Sequence, residues 1–271
     1  VPELPEVETT KRGIAPALIG ARVLDAVVRD RRLRWPIEAN FESAIHGQTV
    51  RSVERRAKYI LIGFEDGSLI LHLGMSGSLR LVKPGTPPRI HDHWDLELDS
   101  GWVLRFHDPR RFGSLHWTQG DPSQHPLLLK LAPEPLSAAF DAAYLYRATR
   151  KRAVAIKQLL MNSSIVVGVG NIYASEALFH ARVAPRRRAR RITKAEAARL
   201  AAAVKQVLSE AINIGGTTLR DYVDPAGTPG YFRQKLFVYE RAGSACRICK
   251  SPVKHFTQGQ RSTYWCSTCQ R

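Results

Sequence analysis

Through much of the first half of the chain, apolar positions recur with period two. Leu69, Leu71 and Leu73 alternate with other residues, and the apolar run Tyr59–Phe64 has strand length. Asp95–Leu98 and Trp102–Phe106 flank Ser100-Gly101, which predicts a hairpin. One helix is expected ahead of these strands, because Pro5 suits a first helical position and Glu6 and Glu8 suit the positive end of a helix dipole. Near Gly120–Pro135 proline and glycine punctuate the chain and helical spacing takes over. Ala153–Met161 is apolar at that spacing, and Ile172–Ala181 follows a glycine-rich turn. A long helix is predicted from Lys194 to Ile212, opened by a capping box of Thr193 and Glu196 and closed by Gly215-Gly216. Gly227–Gly230 reads as a mobile loop leading to an apolar strand around Leu236–Tyr239. No internal repeat is evident. The pattern predicts an α+β protein with a β-rich domain over residues 1–131, a helical domain over 132–240 and a cysteine-bearing appendage over 241–271.

Composition narrows the partner. At 271 residues, 44% hydrophobic and 24% charged, the chain is globular and long enough for two cores. Its 41 Lys and Arg against 24 Asp and Glu give a formal charge of +17, which favours a polyanion, since each phosphate neutralised releases counterions. An acidic membrane surface would match the charge alone. No apolar run is long enough to span a bilayer and no signal peptide is recognisable, so the cytoplasm is the expected location.

All four cysteines lie near the C-terminal end as two Cys-x-x-Cys pairs, Cys246/Cys249 and Cys266/Cys269. Thiolates at i and i+3 on a tight knuckle converge on one ion, and two knuckles complete a tetrahedron, so one structural Zn2+ is expected. A redox dithiol or two local disulfides is the competing reading. The pair His91 and His93 around Asp92 has near metal-ligand spacing but no partner cluster, and reads as structural. The run Arg186–Arg191 reads first as a solvated loop and second as a nonspecific attraction for nucleic-acid backbone.

Several short motifs occur in a fixed order over essentially the whole chain: Pro2-Glu3-Leu4-Pro5-Glu6, Arg55-Arg56-Ala57-Lys58-Tyr59, His72-Leu73-Gly74-Met75-Ser76-Gly77, Asp108-Pro109-Arg110-Arg111-Phe112-Gly113, Gly168-Val169-Gly170-Asn171-Ile172-Tyr173 and Gln260-Arg261. Together they resemble the formamidopyrimidine-DNA glycosylase family. The resemblance implies an N-terminal β-sandwich, a helix–two-turn–helix domain and a zinc ribbon. It also implies a bacterial, nucleoid-associated monomer that repairs damaged double-stranded DNA by base excision, removing 8-oxoguanine and formamidopyrimidines and then cutting the strand by β,δ-elimination. In that family the amine of an N-terminal proline is the nucleophile. A secondary amine at a sugar's anomeric carbon forms an iminium that cannot be neutralised by losing a proton from nitrogen, and an α-amine titrating near ~8 has a free-base fraction at neutral pH.

The departure from the pattern is Val1. Ahead of Pro2 it would make that nitrogen an amide, so Val1 is expected to be a GTG start read literally, its methionine being removed in the mature protein. By the same resemblance Glu3 is the acid/base at the sugar ring oxygen, Glu6 a supporting carboxylate, and Lys58 a contact to the phosphate beside the lesion. Met75, Arg110 and Phe112 would fill the hole left by the extruded base, Arg110 facing the orphan cytosine. His72, Arg111, Asn171 and Arg261 would hold phosphates, and Thr217–Phe232 would close over the base. For Glu6 a helix-end residue, and for Asn171 an N-cap, are the plainer alternatives. Two rival functions stay open: the sister branch that acts on oxidised pyrimidines, and a zinc-ribbon DNA-binding protein without catalysis.

Overall fold

The alternating segments of the first half form two antiparallel four-stranded sheets in the computed structural model, which describes residues 2–215 and 235–271. Helix α1 (Leu4–Leu18) comes first, followed by β1 (Val23–Val28), α2 (Phe41–Ile45), β2 (Ser52–Arg56), β3 (Tyr59–Gly63), β4 (Ser68–His72), β5 (Ser78–Val82), β6 (Asp92–Leu98), β7 (Val103–His107), β8 (Ser114–Thr118) and the short α3 (Pro126–Leu129). The strand orders are β1-β6-β7-β5 and β2-β3-β4-β8. One apolar core takes Val23, Leu96, Leu104 and Phe106 from the first sheet, Ile60, Ile62, Leu69 and Leu71 from the second, and Val7, Ile14 and Leu18 from α1. The expected early helix and β-sandwich are therefore present. The hairpin at Ser100-Gly101 is present too: Gly101 has φ +76°, and Leu98 N–H donates to Trp102 O at 2.9 Å.

Three loops leave the second sheet at one end, and the register dictates it. Tyr59 pairs with His72, and His72 pairs with Ser114. The turn before Tyr59, the segment after His72 and the segment before Ser114 must therefore emerge side by side. These are the segments that carry Lys58, Met75, Arg110 and Phe112.

The chain divides into two compact units, the first comprising the described residues up to Leu129 together with Ile214 and Gly215, and the second comprising Lys130–Asn213 and the described residues from Lys235 onward. The second unit holds α4 (Ala142–Thr149), α5 (Ile156–Leu160), α6 (Asn171–His180), α7 (Lys194–Asn213) and a C-terminal hairpin of β9 (Lys254–Gln258) and β10 (Arg261–Trp265). Helix α7 buries Ala197, Leu200, Ala201, Val204, Val207, Leu208 and Ala211, one stripe at helical spacing, and packs on α4 and α6. Its predicted capping box exists: Glu196 N–H donates to Thr193 Oγ1 at 3.2 Å, and Thr193 N–H donates to Glu196 Oε2 at 2.8 Å.

Three expectations about elements change. The helix predicted over Ala153–Met161 is confined to Ile156–Leu160, because the preceding residues are extended: Ala155 bridges Arg188, and Ala189 N–H donates to Val154 O at 2.9 Å. Helix α4 has no counterpart among the predicted elements, although Asp141 caps it by accepting from Tyr144 N–H at 2.6 Å. The segment Leu236–Tyr239 is not a strand. Its N–H groups at Phe237, Val238 and Tyr239 go instead to the carboxylate of Glu176 at 2.8, 3.0 and 2.9 Å. The loop expected at Gly227–Gly230, the closing segment Thr217–Phe232, Gly216 and Val1 lie outside the described residues.

Candidate functional site

Helix α1 begins where the chemistry is expected. Glu3 is its N-cap in extended conformation, and the side chain accepts from the N–H of Glu6 while Glu6 Oε2 accepts from Glu3 N–H at 2.9 Å. Glu6 is thus the third residue of a reciprocal capping box built from two carboxylates, a sound arrangement at the positive end of a helix. Pro2, Glu3 and Glu6 are all buried. Further along the helix, Glu8 Oε2 accepts from Arg55 Nε at 2.9 Å, and Arg55 Nη1 donates to Ala57 O at 2.9 Å. That chain of bonds fastens α1 to the β2–β3 turn, where Ala57 has φ +55° and Lys58 is half-buried. Burial alone would raise the Glu8 pKa, but hydrogen bonds from Lys11, Arg12 and Arg55 hold it below the usual carboxylate value.

Beside that turn, His72 ends β4. Its Nδ1 accepts from Gly74 N–H at 3.0 Å, which leaves the ring proton on Nε2. Burial, with the positive charges of Lys58 and Arg34 nearby, pushes its pKa down to about 4. His72 is therefore a neutral N–H donor at physiological pH, stacked at a tilt on Tyr59 with ring centroids 4.9 Å apart. The structure brings Lys58, His72 and Arg34 into one electropositive corner. Arg34, one of several arginines close together in the sequence, carries no local signal that singles it out; its N–H donates to Gly113 O at 3.0 Å.

The loops bearing Met75 and Phe112 are held together by one carboxylate. Asp108 is fully buried; its Oδ1 accepts from Ser76 Oγ at 2.7 Å and Arg110 N–H at 3.3 Å, and its Oδ2 accepts from Gly113 N–H at 2.8 Å. Gly74 permits the close approach: at φ +68°, a Cβ there would sit 2.4 Å from the backbone of Phe112 and Gly113. His93 Nε2 bonds Asp108 O at 2.7 Å, so His93 has a structural role despite its metal-like spacing from His91. Met75 is half-buried, whereas Arg110 and Phe112 are exposed, with the guanidinium 5.1 Å from the ring centre. Arg111, at φ +56°, pairs with Asp30 at 2.8 Å.

In the second unit the N-cap of α6 is Gly170, so the N-cap reading of Asn171 is corrected. The Asn171 side chain is committed elsewhere. Its Oδ1 accepts from Lys157 Nζ at 2.6 Å and its Nδ2 donates to Ser262 O at 2.9 Å and, weakly, to Tyr239 OH at 3.5 Å. Lys157 is buried and also donates to Ser262 O at 3.0 Å and Thr263 Oγ1 at 2.7 Å. It thereby stitches α5 and α6 to β10, next to Arg261. Arg261 follows a tight turn in which Gly259 and Gln260 both have positive φ, and it is exposed. Lys157 and Glu176 carry no local signal in the sequence, since each acts on residues far along the chain.

The four cysteines converge. Cys249 and Cys266 sulfurs are 3.4 Å apart, those of Cys246 and Cys269 are 3.9 Å apart, and all four lie within 4.8 Å of one another. A tetrahedral site with ~2.3 Å metal–sulfur bonds has edges of about 3.8 Å, so the donor set fits a metal ion and not disulfides. Hydrogen bonds from Ser251 pull the Cys249 thiol down to about 6, while burial and the neighbouring sulfurs push Cys269 up to about 12. Sulfurs this crowded resist ionising together unless a cation sits among them. No other group of metal-ligating residues occurs among the described residues. No helix among them is long and apolar enough to cross a membrane.

Comparison with known proteins covers both units. The profile described as "Formamidopyrimidine-DNA glycosylase N-terminal domain" matches residues 1–115, and the "Formamidopyrimidine-DNA glycosylase H2TH domain" profile matches residues 131–223. The formamidopyrimidine-DNA glycosylases of Thioalkalivibrio sulfidiphilus and Methylococcus capsulatus are 59% and 53% identical to the chain, with full coverage of both sequences in each case. Among solved structures, the MutM (Fpg) protein of Thermus thermophilus is 41% identical with TM-score 0.90 over 99% of this chain and 98% of that one. A Lactococcus lactis Fpg mutant in complex with a Fapy-dG-containing DNA is 28% identical with TM-score 0.93 and full coverage of both.

Proposed function

The chain belongs to the formamidopyrimidine-DNA glycosylase family, and from that premise we propose that it is a bifunctional glycosylase and abasic-site lyase acting on oxidised purines in double-stranded DNA. The observation that carries the reading is the burial of Pro2 and Glu3 together at the head of α1, fastened through Glu8 and Arg55 to the turn that bears Lys58.

The Pro2 nitrogen, as a free secondary amine, donates its lone pair to C1′ of the damaged nucleotide, and the glycosidic bonding pair leaves with the base, which takes up the proton that the amine gives up. Glu3 protonates the ring oxygen, opening the sugar to an iminium. That cation acidifies C2′–H; loss of the proton expels the 3′ phosphate, and a second elimination expels the 5′ phosphate. Water then frees the amine. Lys58 and His72 hold the phosphate beside the lesion, the latter through Nε2–H. Met75, Arg110 and Phe112 occupy the vacated stack, with Arg110 toward the orphan base. Arg111, Asn171 and Arg261 hold further phosphates, Arg111 by exchanging Asp30 and Asn171 by releasing its long bond to Tyr239. In the ribbon Cys246, Cys249, Cys266 and Cys269 bind Zn2+, whose role is to fold the hairpin. On this reading residues 1–131 carry the catalysis, 132–240 and 241–271 grip the duplex, and the protein works as a monomer on the chromosome in the cytoplasm.

Borohydride reduction during turnover tests the mechanism, using protein whose intact mass shows that it begins at Pro2. We expect a covalent adduct with DNA containing 8-oxoguanine, and peptide mapping should place it on the peptide beginning at Pro2. An adduct on an internal lysine, or none, overturns the nucleophile. A panel with oxidised thymine should show the slower reaction.

A further inference from the structure

Two stretches of positive charge that are distant in sequence are knitted together on the second unit. Arg190 N–H donates to Arg152 O at 3.0 Å, Ala189 N–H donates to Val154 O at 2.9 Å, and Ala155 and Arg188 form a β-bridge. The loop is ordered further by a 3₁₀ turn at Ala189–Arg191 and by Arg150, whose Nη2 reaches Ile192 O at 2.5 Å. Its arginines have divergent fates. Arg187 is neutralised by Glu196 at 2.6 Å, and Arg186 lies 3.8 Å above the ring of Phe256 on β9. Lys151, Arg152, Arg188, Arg190 and Arg191 are exposed, and none pairs with a carboxylate among the described residues.

Five like charges on an ordered surface repel one another, a cost that a bound polyanion would remove. The position supplies the partner. Phe256, under Arg186, precedes Gln258 by two residues on β9, and Gln258 is the register partner of Arg261. The arginine loop therefore meets the hairpin roughly 7 Å along the strand from Arg261, at ~3.3 Å per residue. That step matches about two phosphates of one strand along a duplex axis, at ~3.4 Å each. We propose that Lys151, Arg152, Arg188, Arg190 and Arg191 form a second phosphate-binding ridge that continues the Arg261 track onto duplex flanking the lesion and holds undamaged DNA during search. The proposal rests on the DNA partner assigned above. It goes beyond it in assigning a surface that needs no lesion and takes no part in catalysis.

The test is the full-length triple variant R188S/R190S/R191S. The loop's ordering bonds run through backbone atoms, so the fold should persist, as a melting curve will show. Affinity is measured by anisotropy across a salt series, on an undamaged duplex of about 30 base pairs and on one of about 12 centred on an abasic-site analogue. On the long duplex the slope of log K against log salt should fall by about 2 to 3 units, at ~0.9 for each phosphate no longer neutralised. On the short duplex the slope should match the parent, and so should the single-turnover cutting rate at saturation when 8-oxoguanine replaces the analogue. An unchanged slope on the long duplex overturns the ridge. Equal losses on both duplexes also overturn it, by placing the arginines within the lesion footprint. Unchanged DNA binding with lost binding of poly-glutamate would overturn it too, by assigning the surface to an acidic protein. If the parent itself neither binds nor cuts, the DNA assignment has failed and the ridge falls with it.

Discussion

At the scale of single residues, His72 shows how a fold sets a protonation state. Its Nδ1 is engaged by Gly74 N–H, and burial with two nearby cations pushes its pKa down to about 4, against an ordinary value near 6.5. The ring is neutral whenever the protein is folded near neutrality. Because the folded pKa is the lower one, the unfolded state takes up the proton first. The contribution of His72 to stability is complete above about pH 6.5 and is lost as pH falls toward 4. We expect its ring to titrate in NMR well below the ordinary value near 6.5. Replacing His72 with Gln, which keeps a donor, should flatten the loss of stability between pH 6.5 and 4 in denaturation curves. A His72 titration near 6.5 would contradict the buried, cation-flanked setting.

At the scale of elements, legibility followed the range of the interactions. The hairpin at Ser100-Gly101 and the box at Thr193 and Glu196 are set by residues a few positions apart, so the sequence displays them. The apolar run Leu236–Tyr239 reads like a strand, but its N–H groups are claimed by Glu176, about sixty residues earlier. Asn171 suits a cap by residue type, yet Lys157 and Ser262 take its side chain. The candidate site was readable as a set of motifs. Their assembly through Asp108, Arg34 and Lys157 was not, since register and long-range bonds create it. The ribbon is the element where this matters most for stability. Changing Cys249 to Ser should remove the fourth thiolate and, because structural metal binding is coupled to folding, loosen β9–β10. Metal content by atomic absorption should drop and amide exchange across the hairpin should rise. A variant that keeps full metal and parental exchange would refute a folding role.

At the scale of the whole molecule, the charge of +17 sets the physics of encounter. Affinity for any duplex should weaken steeply with salt, and individual cations should be countable in the slope. Changing Arg261 to Ala is expected to lower that slope by about one unit on damaged and undamaged DNA alike, without altering base preference. An unaltered slope would remove Arg261 from the phosphate contacts. The Asp108 clip acts at this scale as well. On the proposed function, Met75, Arg110 and Phe112 meet each base pair as a preassembled probe, because the entropy of arranging two loops was spent when the chain folded. Interrogating a genome then requires no rearrangement of those loops at each stop, and dwell time at ordinary bases can be short.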